Sequence, residues 1–216
     1  MTPDAPLRAA LMRHAPTEWN RQGRIQGHRD SPLTPAGRRL AGAWALRLAE
    51  FDFHRVVTSD LGRARETAAL LTHGRPLPLD ADARLREQDW GAWTGMRMSA
   101  IRQRFPRELE HQERQEWRFR PPGGESRGEV AARGAAVLMA LAVRWPGQRV
   151  LLVTHEGFMK CLLYHLILRR TPPDRNTRVR PYHLHWITVS QNDLLLEHLN
   201  ALNLVAPAGG QEALRP

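Results

Sequence analysis

Cysteine and lysine are almost absent from this chain of 216 residues. The one cysteine, Cys161, has no partner for an internal disulfide and sits in an apolar stretch that predicts burial. No apolar run reaches the ~18 residues a membrane span requires, so no transmembrane helix is expected. The stretch Met1 to Leu7 holds Asp4 and two prolines but no basic cluster, so no secretory signal is expected and a cytoplasmic location is. There is no P-loop, no G-x-G-x-x-G and no zinc-finger spacing. The ten histidines are dispersed, without cysteines or carboxylates at ligand spacing, so neither a metal nor a cofactor is expected. Internal repeats and low-complexity segments are missing as well.

What is present is arginine. The formal net charge is +10, and Lys160 is the single lysine. Such a surplus suits an anionic partner, a phosphorylated metabolite or a nucleic acid. A biased composition accounts for arginines scattered over a surface, but not for arginines that fall at strand ends. The length fits one domain over 1–216, and 42% apolar residues suffice for a core.

The chain reads as alternating strands and helices. Ala9 to Met12 is an apolar stretch that runs into Arg13 and His14 and stops at Ala15-Pro16. About twenty residues follow before the next helix signal, Thr34-Pro35, a capping residue with proline in the first turn. So long a connection between strand and helix is functional or disordered. This one is rich in donors. Thr34 to Glu50 reads as a helix whose apolar face includes Leu40, Ala41, Trp44 and Leu48. Arg55 to Thr58 reads as a strand, and Ser59 as the cap of a helix through Arg63 to Leu71. An acid-bearing loop, Leu85 to Trp93, follows. Thr94 to Arg127 is polar, is closed by Pro121-Pro122-Gly123-Gly124, and predicts a small helical cap insertion. A helix from about Glu129 to Arg144 leads into Val150 to Thr154, a uniformly apolar central strand. His155 ends that strand, Gly157 is expected to make the turn, and Phe158 to Leu168 is the next helix. Tyr182 to Ser190 and Leu194 to Leu199 predict a hairpin, and the residues from Pro207 on a frayed tail. The expected fold is α/β: a mainly parallel central sheet with helices on both faces and an antiparallel edge.

Three of these strands lead to a residue that can do chemistry. The first delivers Arg13 and His14, the second leads into Arg63, and the Val150 strand delivers His155. In an open parallel sheet the C-terminal strand ends open on one side, and ligands bind there. Two histidines and two arginines are thus expected around one pocket. Arginine forks match phosphate oxygens. One histidine can attack phosphorus while the other donates to a phosphoryl oxygen, and Glu87 or Asp89 can protonate the leaving group.

The sequence resembles the histidine phosphatase superfamily, also called phosphoglycerate mutase-like. Arg13-His14-Ala15-Pro16-Thr17-Glu18-Trp19-Asn20 is similar to its first motif, and Gly23 to Thr34 looks like its phosphatase branch. Ser59 to Ala68 resembles its second motif, Leu85-Arg86-Glu87 with Gly91 and Trp93 its acid-bearing segment, and Val153 to Gly157 the segment of its second histidine. The resemblance implies a phosphoryl-histidine on His14. It implies Arg13, Arg63 and His155 as ligands of the phosphoryl oxygens, Asn20 as a positioning group and Glu87, rather than Asp89, as the proton donor. No metal is implied. Ala15 and Glu156 stand where the family usually has glycine. A positive φ at Ala15 would cost ~1 kcal/mol or more, and Glu156 is expected to point away from the pocket.

Three functions stay open at this point: a phosphomonoester phosphatase of small metabolites, a phosphoglycerate mutase with the same nucleophile, and a non-catalytic basic protein that binds RNA or phosphorylated partners. The first is preferred, with a small-molecule phosphate ester as partner, neither nucleic acid nor membrane, and a monomer or homodimer as the assembly.

Overall fold

The computed structural model describes residues 5–168, 178–190 and 193–205. The expected tail from Pro207 on lies outside the described residues. A six-stranded sheet is built from β1 (Leu7–Arg13), β2 (Arg55–Thr58), β3 (Leu79–Ala81), β4 (Arg149–Thr154), β5 (His183–Val189) and β6 (Leu194–Asn203). Its order is β3-β2-β4-β1-β5-β6. The β3-β2, β2-β4 and β4-β1 pairs are parallel, while β5 and β6 add an antiparallel edge as the hairpin reading expected.

Alternation along the strands sorts the core into two layers. Leu7, Ala9 and Leu11 face α6 (Arg127–Arg144) and α7 (Glu156–Leu168), together with Val150 and Leu152. Ala10 and Met12 face the opposite side, where α2 (Pro35–Leu48) and α3 (Gly62–Thr72) pack with Trp44, Val56 and Val153. The period of two puts neighbouring residues of one strand into different layers. This is why the central strands read as unbroken apolar runs.

The register fixes where the strands stop. Arg13 pairs with Thr154, and Thr58 with Val153. The His14 amide donates to the Thr154 carbonyl at 2.9 Å, and the Ser59 amide to the Val153 carbonyl at 2.9 Å. His14, Ser59 and His155 therefore leave the sheet on the same edge.

Helix ends were less legible than helix bodies. Thr34 caps α2 as expected, its hydroxyl accepting from the Gly37 amide. Ser59 does not cap α3: its Oγ accepts from the Leu61 amide, and the helix starts at Gly62. The cap of α3 is Asp30, far away in sequence, whose carboxylate accepts from the Gly62 and Arg63 amides at 2.6 and 3.3 Å. Gly157 does not make a turn either, since it lies inside the first turn of α7. Between 94 and 127 the chain forms α4 (Met98–Arg104), α5 (Pro106–Glu113) and a single 3-10 turn, Glu116–Arg118. Trp93, Ile101, Leu109 and Phe119 give this segment a small apolar cluster of its own. No helix among the described residues is long and apolar enough to cross a membrane.

Candidate active site

The long connection after β1 is ordered by polar contacts. Thr17 caps a four-residue helix, α1 (Glu18–Arg21), in a reciprocal box with Asn20. Asn20 Oδ1 accepts from the Thr17 amide and hydroxyl, both at 3.1 Å, which leaves its Nδ2 as the donor for anything in the pocket. Arg63 ties down the far end of the connection. Its Nη1 donates to the Arg29 carbonyl and to Asp30, and its Nη2 to the Gly27 carbonyl. Three of five guanidinium donors are thus used, and Nε–H is buried without a partner.

Arg13, His14, Asn20, Arg63 and Glu87 line one cavity of about 300 Å³ at the C-terminal edge of the parallel strands. The His14 Nδ1 lies 2.7 Å from the Ala15 carbonyl oxygen. A carbonyl only accepts, so Nδ1 carries the proton and Nε2 keeps its lone pair. Ala15 is buried and does not have a positive φ, so its Cβ causes no backbone strain. His155 lies behind His14, with ring centroids 5.1 Å apart, fully buried and with neither ring nitrogen hydrogen-bonded.

Glu87 sits on the N-terminus of α7. Its Oε1 accepts from the Phe158 and Gln88 amides at 2.8 and 2.9 Å, and its Oε2 from the Gly157 amide at 3.1 Å. A Cβ on Gly157 would come within 2.4 Å of that carboxylate, so this glycine is needed for the approach of Glu87, not for a turn. Asp89 is excluded from the cavity wall. Its Oδ1 accepts from the Gly91 amide at 2.9 Å, and its backbone carbonyl accepts from Glu125.

Glu156 corrects an expectation. It lines the cavity, pairs with Arg13 Nη1 at 2.6 Å and accepts from Lys160 Nζ at 2.5 Å. Two cations make a carboxylate tolerable on this wall. Arg13, the Lys160 ammonium and Arg178 hold its carboxyl below the usual range against the opposing effect of burial. Arg133, which sequence reasoning missed, spends all five donors at the acid-bearing loop and its neighbours: the carbonyls of Arg86 and Glu87 in the loop, that of Arg84 just before it, and both oxygens of Glu125. Bonds to backbone carbonyls leave no mark in a sequence. Arg24 and Arg127 also reach the cavity wall, whereas Arg65 is exposed.

Burial pushes both site histidines well below the ordinary value of 6.5; Arg13 and Arg63 add to this at His14, and Arg63, His14 and Arg13 at His155. Burial, then His183, lowers His185 to about 4. The unfolded chain takes up protons at these positions below pH 6.5 and the folded chain does not. Their contribution is therefore fully present above pH 6.5 and is lost as the pH falls. Each pH unit below 6.5 costs about 1.4 kcal/mol per histidine until its folded value is reached. His185 alone should lower stability by about 1 kcal/mol between pH 7 and pH 5.5, and the two site histidines add to the loss in the same direction. Urea denaturation at the two pH values measures this, and an unmoved midpoint would contradict it.

Fold and site together define an α/β protein with an arginine-histidine anion pocket at the strand ends. Residues 9–202 match the model of the histidine phosphatase superfamily, branch 1, and the chain belongs to that family. The probable phosphoglycerate mutase GpmB of Cronobacter sakazakii is 34% identical over 183 residues, 81% of each chain. The structure of YhfR from Bacillus stearothermophilus superposes with a TM-score of 0.79 at 30% identity, covering 93% of this chain and 100% of the other. The mycobacterial glucosyl-3-phosphoglycerate phosphatase in complex with VO3 gives 0.76 at 28% identity, covering 90% and 99%.

Proposed function

We propose that this chain is a metal-independent phosphomonoester phosphatase of small metabolites, acting through a phosphohistidine on His14. The observation that carries the proposal is the convergence of buried donors without partners. Arg13 Nε–H, Arg63 Nε–H and the ring N–H of uncharged His155 are unpartnered beside His14, whose Nε2 lone pair is free. Buried polar groups are normally bonded, and unbonded ones ask for an explanation. A phosphoryl group, with three oxygens to be shared among arginine and histidine donors, provides one.

In the first step His14 Nε2 attacks phosphorus, a P–N bond forms and the ester P–O bond breaks. Glu87, in its protonated form, gives its proton to the departing alkoxide. Water then attacks phosphorus, the P–N bond breaks, and the Glu87 carboxylate takes up the proton of that water. Phosphate leaves and His14 returns to its starting tautomer. Asn20 Nδ2 and the His155 ring orient the oxygens.

Hydrolysis is favoured over mutase turnover by the exposure of the pocket's rim. Arg24 is exposed and Lys160 partly so, which leaves water a path to the phosphohistidine. Phosphatase names and a phosphoglycerate mutase name both occur among the structural relatives, and the sequence relatives carry a mutase name, so the deciding experiment compares the two reactions. Purified protein should release phosphate from several monoesters, undiminished by EDTA and inhibited by vanadate. It should not interconvert 2- and 3-phosphoglycerate, even when primed with 2,3-bisphosphoglycerate. Primed mutase turnover exceeding hydrolysis, or activity that EDTA abolishes and metal restores, would overturn this reading.

A further inference from the structure

A second and larger cavity adjoins the phosphoryl cavity. It encloses about 620 Å³ and shares Arg127, Lys160 and Cys161 with the first. Its floor is α7. Gly157 lies at the phosphoryl end, Lys160 and Cys161 follow one turn on, and Tyr164 and Leu168 after that. A spacing of three and four residues keeps them on one face of the helix, a stripe about 16 Å long at 1.5 Å per residue. The opposite wall is the 3-10 turn of the cap, which contributes Trp117, with Glu116 beside it.

The chemistry of this second cavity differs from that of the first. Its apolar wall is Trp117, Tyr164 and Leu168, and its charges balance, since Glu113 and Glu116 oppose Arg127 and Lys160. The Tyr164 oxygen accepts from the Val179 amide at 3.2 Å, so the tyrosine offers its ring and one O–H donor. Trp117 is braced edge-on against His165, with centroids 5.6 Å apart. With as many carboxylates as cations in the lining, a second phosphate or a carboxylate meets no net positive charge here. An uncharged aromatic or long apolar group finds an aromatic wall, an aliphatic end and room to fit.

We infer that this cavity is the leaving-group subsite, and that the substrates favoured by this chain are phosphate monoesters of alcohols carrying an uncharged aromatic or extended apolar group. The inference rests on the phosphomonoesterase reading and adds the substrate class to it. It also assigns α7 two tasks. The first turn receives Glu87, and the next three turns hold the organic part of the ester.

Two esters with leaving groups of similar basicity separate binding from chemistry: 2-(1-naphthyl)ethyl phosphate and ethyl phosphate. The naphthyl ester should have kcat/KM higher by at least about 30-fold, the scale expected for burying one aromatic ring system. Trp117→Ala should reduce that ratio to a few-fold. Leu168→Ala, at a position 46% exposed, should reduce it in the same direction without threatening the fold. The matching phosphonates, which cannot be hydrolysed, give a second readout by calorimetry. Tighter binding of the naphthyl phosphonate, weakened by Trp117→Ala, supports the subsite even if neither ester is turned over; that outcome would sink the phosphatase reading alone. Equal kcat/KM for the two esters, or a preference that survives both substitutions, overturns the subsite and leaves the phosphatase reading intact.

Discussion

His14→Ala should lower kcat/KM by at least ~10³-fold, equivalent to about 4 kcal/mol of barrier, and should abolish the proposed phosphoenzyme. The size follows from the geometry of the pocket. His14 Nδ1 is held by the Ala15 carbonyl, so the ring presents a single reactive nitrogen in one orientation. Burial and the two arginines keep the ring uncharged, so its lone pair is available at neutral pH without prior loss of a proton. His155 is no substitute, because it is fully buried behind His14. Labelled substrate and rapid quench should trap an adduct in the wild-type chain that is labile in acid and stable in base, and none in the variant. An acid-stable adduct, or a variant with unimpaired turnover, removes His14 from the mechanism.

Arg63→Lys should lower kcat/KM by at least ~10²-fold, the usual cost of losing one well-placed donor to a developing oxyanion. The substitution keeps the charge and loses the fork. Arg63 holds Gly27, Arg29 and Asp30 with three donors and still has Nε–H in reserve. An ammonium has three donors on one atom and cannot serve both the loop and a phosphoryl oxygen. The affinity for vanadate should fall together with kcat/KM, while the thermal midpoint reports any separate loss of loop order. Turnover within threefold of the wild type would show that Arg63 only supports the loop.

The parts of this molecule that were legible in its sequence are those set by local pattern. The central strands announce themselves because both of their faces are buried, which leaves no polar position to confuse the reading. The α2 helix announces itself through Thr34-Pro35. Arg13, His14 and His155 could be placed on one edge because parallel strands share a polarity. The Ser126 box with Glu129 was available as a signal and would have moved the start of α6 back to Arg127. Other features had no local signal. Asp30 caps a helix that begins 32 residues later, and Arg133 reaches backbone carbonyls more than 45 residues away. Glu156 could not be placed from sequence because its direction depends on Arg13, on another strand, and on Lys160 on its own helix. Gly157 reads as a turn residue, yet what it provides is clearance for Glu87, which only the assembled sheet reveals.

The strand order also dictates a schedule. β1 is the first strand to leave the ribosome, but its two neighbours are β4 and β5, with Arg8 set against Arg149 and Leu7 against Val189. Neither ladder can form until most of the chain has been synthesised. Until then the apolar segment from Ala9 to Met12 has unpaired backbone on both edges, the state most open to wrong partners. Long-range pairing of this kind makes folding slow relative to helical proteins of similar stability. The nascent chain therefore carries His14, at the end of that waiting strand, long before any pocket exists to hold it.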